Sequence, residues 1–181
     1  MRKAELRKIY IQKRKELSEE QVRLKSLDLL RQLKETSIFE NQIFHVFISI
    51  EKLHEVFTWV LIEFLRMKKK TIVVSSCEFK TTTLNHFVLD KTTILKENSY
   101  GVPEPIGARQ IDPKKLDVVF VPLLISDKEN YRVGYGKGYY DRFLAECRED
   151  IQTIGLNFFE PIEKIEDINE YDIPLKKVLY G

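Results

Sequence analysis

Three glycines at alternate positions surround a lysine in the segment Gly134-Tyr135-Gly136-Lys137-Gly138. Glycine allows a positive φ and close backbone approach, so successive N–H groups can converge on an anion. The residues after the loop predict a helix over 139–148, and the start of a helix favours negative charge. Lys137 adds a mobile positive charge, and the segment therefore indicates phosphate binding.

The spacing of these glycines leaves a second interpretation open. The segment matches neither the GxxxxGK[ST] P-loop nor the GxGxxG dinucleotide pattern, and a glycine-rich turn can serve backbone geometry alone. Asp141 follows the loop and could hold Mg²⁺ against phosphate oxygens. Lys137 and Asp141 together favour phosphate binding over the purely geometric interpretation.

Two helices are predicted before the first strand. The first covers residues 2–16 and has one mainly apolar stripe surrounded by basic side chains. Ser18 and Gln21 form a capping-box pattern that begins the second helix, which runs to about Leu33. The stripe predicted for this second helix comprises Leu24, Leu27, Leu30 and Leu33.

Strand-like and helical segments then alternate along the chain. A helix is predicted over 56–67, and the segment 90–115 is rich in turn residues, which makes it a candidate substrate loop. Strands are predicted at 43–50, 71–75, 84–89, 117–125, 151–158 and 175–180. This alternation predicts a three-layer, Rossmann-like α/β fold with a mostly parallel central sheet and ligands at the carboxyl ends of its strands.

Composition limits the class of protein. A chain of 181 residues with 43% apolar and 32% charged side chains predicts a single folded domain, 1–181. The net charge of +2 provides no global field for nucleic acid or membranes. The two cysteines are far apart, which argues against a disulfide framework. The sequence has neither a signal-peptide pattern nor an apolar run long enough to span a bilayer. We expect a cytoplasmic monomer that binds neither nucleic acid nor membranes.

The segment 132–142 resembles the signature of the 5-formyltetrahydrofolate cyclo-ligases, also called methenyltetrahydrofolate synthetases. Four further blocks occur in the order typical of that family, and together they span nearly the whole chain. These blocks are Lys3-Ala4-Glu5-Leu6-Arg7, Glu55-Val56 with Thr58, Gly101-Val102-Pro103-Glu104-Pro105, and Asp172-Ile173-Pro174-Leu175. Asn130 stands where the family has a glycine, a replacement that asparagine tolerates because it can adopt the left-handed conformation.

The resemblance implies a NagB/CoA-transferase-like fold and a specific reaction. Enzymes of this family use ATP and Mg²⁺ to convert 5-formyltetrahydrofolate into 5,10-methenyltetrahydrofolate, with release of ADP and phosphate. The formyl oxygen is phosphorylated to an iminophosphate, and N10 then attacks the activated carbon. Positioning and charge neutralisation provide most of the catalysis in such a transfer.

The resemblance also implies roles for individual residues. Catalytic roles fall to Arg132, Lys137 and Tyr139. The residues implied to bind ATP are Lys3, Arg7, Arg132, Gly134, Tyr135, Gly136, Lys137, Gly138, Tyr139 and Tyr140. The residues implied to bind folate are Ile48, Glu55, Tyr135, Lys137 and Tyr139. Asp141 and Asp172 correspond to the magnesium ligands.

Each of these roles has a structural alternative. Lys3 and Arg7 could form a solvated basic face, and the tyrosines could be core residues. Glu55 and Asp141 could simply be favourable charges at helix starts. The histidines His45, His54 and His86 lack metal-ligand spacing, and we interpret them as structural.

Two other functions remain open. Similar α/β folds serve sugar-phosphate isomerases and acyl-CoA transferases, which would act without ATP, because a fold does not determine a function. An RNA-binding module could instead use the basic first helix. The basic residues of that helix are Arg2, Lys3, Arg7, Lys8, Lys13, Arg14 and Lys15.

Overall fold

A computed structural model describes residues 1–98 and 101–181. The described residues form four α-helices: α1 (Lys3–Lys15), α2 (Glu19–Lys34), α3 (Trp59–Met67) and α4 (Tyr139–Glu146). They also form ten strands: β1 (Ile43–His45), β2 (Thr71–Glu78), β3 (Thr83–Val88), β4 (Ile94–Glu97), β5 (Pro103–Ile106), β6 (Val118–Pro122), β7 (Ile125–Ser126), β8 (Arg132–Val133), β9 (Gln152–Asn157) and β10 (Lys177–Tyr180).

Six of the strands build the central sheet, in the order β10-β9-β6-β1-β2-β3. All neighbouring pairs are parallel except β2 with β3, where a tight turn returns the chain antiparallel at the edge. The predicted mostly parallel α/β sheet is therefore confirmed. Asn130 has a φ of +65°, as expected for an asparagine that replaces glycine.

Helices cover the sheet on both faces. Val118 and Phe120 of β6 belong to an apolar cluster that includes residues of α2 and α3. Val119 and Val121, which alternate with them, pack with Phe143 of α4. Successive side chains of a strand point to opposite faces, so β6 is buried on both sides and the architecture has the predicted three layers.

The first helix lies outside these two layers and packs against the loop region. Leu6 and Tyr10 of α1 form a third apolar cluster with Leu124, Ile125 and Val133. The last two belong to the short β7–β8 pair, which leads directly into the glycine loop. The apolar stripe of α1 therefore fixes the helix beside the segment expected to bind phosphate.

The stripe predicted for α2 is wrong in its first half. Leu24 is 59% exposed and Leu27 is 49% exposed, whereas Leu30 and Leu33 are buried. At 3.6 residues per turn, each step of three residues rotates by about 60° from the previous side chain, so Leu24 lies opposite Leu33. The buried side chains of α2 are Val22, Ser26, Leu29, Leu30 and Leu33. The predicted capping box at Ser18 and Gln21 is confirmed.

Several predicted segments have different boundaries in the structure, and two of them also differ in kind. The segment 43–50 is regular only as far as His45, although Val46, Phe47 and Ile48 remain buried in irregular backbone. The turn-rich segment 90–115 contains the antiparallel pair β4–β5. Prolines weaken a strand prediction, but a two-stranded pair leaves edge positions where proline is tolerated. Residues 99 and 100 of this segment lie outside the described residues.

Two buried histidines are linked through a serine across the sheet. Nε2 of His45 lies 2.8 Å from the hydroxyl of Ser75, which lies 2.9 Å from Nδ1 of His86. Burial lowers the pKa of His45 well below its usual value and lowers the pKa of His86 to about 4. These contacts support the structural interpretation of both histidines.

This pair predicts a loss of stability in mild acid. Both histidines are neutral in the folded state and become protonated on unfolding below pH 6.5. Their contribution to the free energy of unfolding is therefore complete above pH 6.5 and decreases as the pH drops toward about 4. His86 alone should contribute a loss of about 2 kcal/mol between pH 7 and pH 5. Urea unfolding at the two pH values measures it, and His86→Gln should reduce the difference. An equal difference in wild type and variant would contradict this assignment.

Candidate active site

The glycine loop connects β8 to α4 at one end of the sheet. Gly136 has a φ of +91°, and Gly138 has a φ of +69° and caps the amino terminus of α4. Both values lie in the left-handed region that glycine adopts without strain. The loop therefore enters α4 without backbone strain, and the N–H groups at the start of this helix are of the kind that bind anions.

Arg7 of α1 lies directly against this loop. Its Nε donates a hydrogen bond to the carbonyl oxygen of Gly134 at 2.8 Å. Its guanidinium carbon would be 3.0 Å from a Cβ placed on Gly136. The loop can approach α1 this closely only because position 136 has no side chain, so the predicted phosphate contacts of Arg7 and the loop lie in one place.

Two glycine substitutions test this arrangement through stability. Gly136→Ala combines a positive φ with a contact against Arg7, and we expect it to destabilise the fold by about 1–2 kcal/mol. Gly134→Ala is the matched control, because a Cβ there meets no atom within 4 Å and the φ is not positive. The midpoints of urea unfolding provide the measurement. Equal midpoints for the two variants would contradict the packing described here.

Four charged site residues form an alternating cluster beside the loop. Arg132 donates from Nη2 to Oδ1 of Asp141 at 2.7 Å and from Nη1 to the carbonyl oxygen of Ile173 at 2.6 Å. Lys3 forms an ion pair with Asp172. Burial lowers the pKa of Arg132, and the charges of Asp141 and Asp172 oppose that effect. The cluster thus unites residues that are 169 positions apart in the chain.

The two aspartates fit a magnesium site. Oδ1 of Asp141 accepts from Arg132 and from the backbone N–H of Ile173, and Oδ2 of Asp172 accepts from Lys3 and Asn169. The other oxygen of each carboxylate has no hydrogen bond within residues 1–98 and 101–181. The same residues contain no group of three or more metal-binding side chains. Magnesium commonly takes one or two carboxylates and completes its shell with phosphates and water, so two free oxygens suffice.

The remaining loop residues differ in their surroundings. Lys137 is exposed, and its amine makes no ion pair with any described residue. Tyr139 is half-buried in the first turn of α4. The ring of Tyr140 meets those of His45 and Phe143, with centroids 6.1 and 5.9 Å apart. Lys137 is therefore the cation of the loop that is available to a ligand.

Glu55 is a buried acid at the end of the irregular segment after β1. It is 5% exposed and accepts a hydrogen bond from the backbone N–H of Ile50 at 2.8 Å. Burial raises its pKa, while the charge of Arg14 and hydrogen bonds from Ile50 and Tyr135 lower it. Ile48, predicted to line the same pocket, is buried in the main apolar cluster. The arrangement holds an acceptor carboxylate in a site that is largely shielded from water.

The structure therefore unites most of the predicted site residues in two groups. One group comprises Lys3, Arg7, Arg132, Asp141, Asp172 and the glycine loop, and the other links Glu55 to Tyr135 and Tyr140. Arg14 was not among the predicted site residues, since the basic side chains of the first helix suggested an exposed face. Arg14 is 2% exposed and follows Leu6 and Tyr10 at intervals of four residues, a spacing that could have identified it as buried.

Membrane insertion receives no support from the helices. None of those in residues 1–98 and 101–181 combines the length and apolar character that a bilayer span requires.

Comparisons with known proteins agree on one family. The family model described as the 5-formyltetrahydrofolate cyclo-ligase family matches residues 1–181. The 5-formyltetrahydrofolate cyclo-ligase of Mus musculus is 27% identical over an alignment of 146 positions, and the match covers 75% of this chain and 71% of that protein.

Two solved structures of 5,10-methenyltetrahydrofolate synthetases share the fold. The protein from Mycoplasma pneumoniae superposes with a TM-score of 0.76 at 25% identity, over 98% of each chain. The protein from Aquifex aeolicus superposes with a TM-score of 0.83 at 28% identity, over 98% of this chain and 89% of the other.

Proposed function

The chain belongs to the 5-formyltetrahydrofolate cyclo-ligase family of ligases, and from this membership we propose that it closes the methenyl ring of 5-formyltetrahydrofolate at the expense of ATP. The products would be 5,10-methenyltetrahydrofolate, ADP and phosphate. The observation that carries the proposal is the alternating cluster of Lys3, Asp172, Arg132 and Asp141 beside the glycine loop.

The phosphate end of the site would be organised by backbone and cations. The N–H groups of the loop and the start of α4 would receive the β- and γ-phosphates, with Arg7 and Lys3 beside them. Mg²⁺, when bound by Asp141 and Asp172, would supply charge neutralisation at the phosphates. Arg132 is held by Asp141 and Ile173, so its charge is pre-oriented near the same phosphates.

The folate end would be organised by Glu55. A carboxylate that already accepts one backbone N–H can accept the donor-rich edge of a pterin. Its burial excludes water from this contact, which strengthens the hydrogen bonds. Tyr135 and Lys137 belong to the glycine loop, Tyr139 begins α4, and Tyr135 also interacts with Glu55. These three residues would align the formyl oxygen with the γ-phosphorus.

The reaction then needs no protein nucleophile. The formyl oxygen attacks the γ-phosphorus and displaces ADP, which leaves an iminophosphate. N10 attacks the activated carbon, the bond from that carbon to the phosphorylated oxygen breaks, and N10 loses its proton as phosphate departs. Lys137 and Arg132 would stabilise the negative charge that spreads over the transferring phosphoryl group.

A direct assay tests the proposal. The purified chain is mixed with 5-formyltetrahydrofolate, ATP and Mg²⁺, and the near-ultraviolet absorbance of the methenyl product is followed together with ADP release. We expect both signals to require all three components and to rise in equal amounts. Folded protein that yields no ATP-dependent absorbance would overturn the proposal. Turnover of a sugar phosphate or an acyl-CoA without ATP would favour the alternative enzyme classes.

A further inference from the structure

Arg14 is a buried arginine whose partners belong to the active-site side of the fold. It lies in the last turn of α1 and is 2% exposed. Nη1 donates to the hydroxyl of Tyr135 at 3.0 Å, and Nη2 donates to the carbonyl oxygen of Leu123. The first partner is 121 residues away in the sequence, inside the glycine loop.

The contact continues from Tyr135 to Glu55. The Tyr135 hydroxyl also lies near enough to Glu55 for the two side chains to interact, and the Glu55 carboxylate feels the charge of Arg14. Tyr135 as a whole residue is 41% exposed, although its hydroxyl is held by Arg14. Contacts among Arg14, Tyr135 and Glu55 thus connect α1, the glycine loop and the acid that is predicted to bind folate.

Burial of Arg14 is energetically unfavourable if the residue serves packing alone. Taking a guanidinium out of water is unfavourable, and apolar side chains of similar volume avoid this penalty. Nε of Arg14 is buried without a hydrogen-bond partner within the described residues, so the penalty is not fully offset. Arg14 also continues the stripe of Leu6 and Tyr10, where methionine would pack without this cost. Packing alone therefore does not explain a charged side chain at this position.

We propose that Arg14 is a positioning residue for the folate site, which holds the Tyr135 hydroxyl and through it the Glu55 carboxylate in the orientation that receives the pterin. This inference rests on the proposed function. The groups that face Glu55 are Arg14 from α1, Tyr135 from the glycine loop, Tyr140 from α4 and the N–H of Ile50. Arg14 carries the positive charge among them, so it favours the ionised carboxylate that accepts hydrogen bonds.

The test measures equilibrium binding of 5-formyltetrahydrofolate to Arg14→Met, Arg14→Lys and Tyr135→Phe, in the absence of ATP and over a range of pH. We expect Arg14→Met to raise the dissociation constant by about 10- to 100-fold. It should also move the acid limb of the binding profile to higher pH, because Glu55 loses the nearby positive charge. Arg14→Lys should restore the position of that limb but only part of the affinity, since an ammonium lacks the planar fork that reaches two acceptors.

The coupling of the two residues provides the second arm. If Arg14 acts through Tyr135, adding Arg14→Met to Tyr135→Phe should weaken folate binding by less than Arg14→Met does in wild type. Lys15→Met is the matched control on the exposed side of the same turn, and it should bind folate like wild type. If Arg14→Met does not fold, the folate affinities and pH profiles of Arg14→Lys and Tyr135→Phe still test the positioning role.

The outcomes separate this inference from the proposed function. If wild-type protein neither binds nor converts 5-formyltetrahydrofolate, the proposed function fails. If wild type binds the folate and folded Arg14→Met binds equally well with the same pH profile, Arg14 is only a structural residue. Full additivity of Arg14→Met and Tyr135→Phe would likewise overturn the positioning role.

Discussion

Lys137→Ala is expected to lower the turnover number by about 10²- to 10³-fold, while the dissociation constant of 5-formyltetrahydrofolate changes by less than about threefold. The reason is that Lys137 is an exposed cation of the glycine loop whose amine has no ion-pair partner among the described residues. Its charge is therefore free to meet the transferring phosphoryl group. Charge that develops only in the transition state affects turnover more than the binding of folate.

Single-turnover kinetics and folate titrations on the same preparation separate the two effects. Lys177→Ala is the matched control, because Lys177 is also exposed but begins β10, outside the residues assigned to the site. It should turn over like wild type. A Lys137→Ala variant that binds folate poorly and turns over normally at saturation would reverse the assigned role.

Glu55→Gln should produce the opposite pattern, with a folate dissociation constant raised by about 10- to 100-fold and a smaller change in turnover at saturation. The substitution keeps the shape of the side chain but removes the charge that a donor-rich pterin edge requires. It also places an amide where the backbone N–H of Ile50 now donates to a carboxylate. Affinity should suffer because the contact is made equally in the ground state and the transition state.

The pH dependence of wild type supplies a second readout for Glu55. Burial raises the pKa of this acid, and only the ionised form is a pure acceptor. Folate affinity should therefore fall as the pH drops, beginning at a higher pH than an exposed glutamate would cause. Glu51→Gln is the control, since Glu51 is exposed in the same segment. Loss of affinity in Glu51→Gln, or a pH profile unchanged by Glu55→Gln, would remove Glu55 from the folate site.

Several features of this protein followed from local sequence. Spacing alone located the capping box at Ser18 and Gln21 and the strands rich in branched apolar residues, because both patterns involve only a few neighbouring residues. The glycine loop was recognisable for the same reason, because positive φ at Gly136 and Gly138 is a local backbone requirement. The alternation of strands and helices then limited the fold to a mostly parallel, three-layer α/β architecture.

Other features depended on which distant segments meet. The spacing of leucines in α2 places Leu24 opposite Leu33, but which side of the helix is buried depends on how it packs against α3 and β10. The prolines around β5 argued against a strand there, and the strand forms because it pairs with β4.

The site itself was decided in the same way. The sequence determined the glycine loop, and it predicted a phosphate site there, two metal-binding aspartates and a folate-binding acid. Only the tertiary structure placed Lys3 on Asp172, Arg132 on Asp141 and Arg14 behind Tyr135. The cost of burying a charge depends on the partners that surround it, and for Lys3 and Arg14 those partners come from positions more than a hundred residues away.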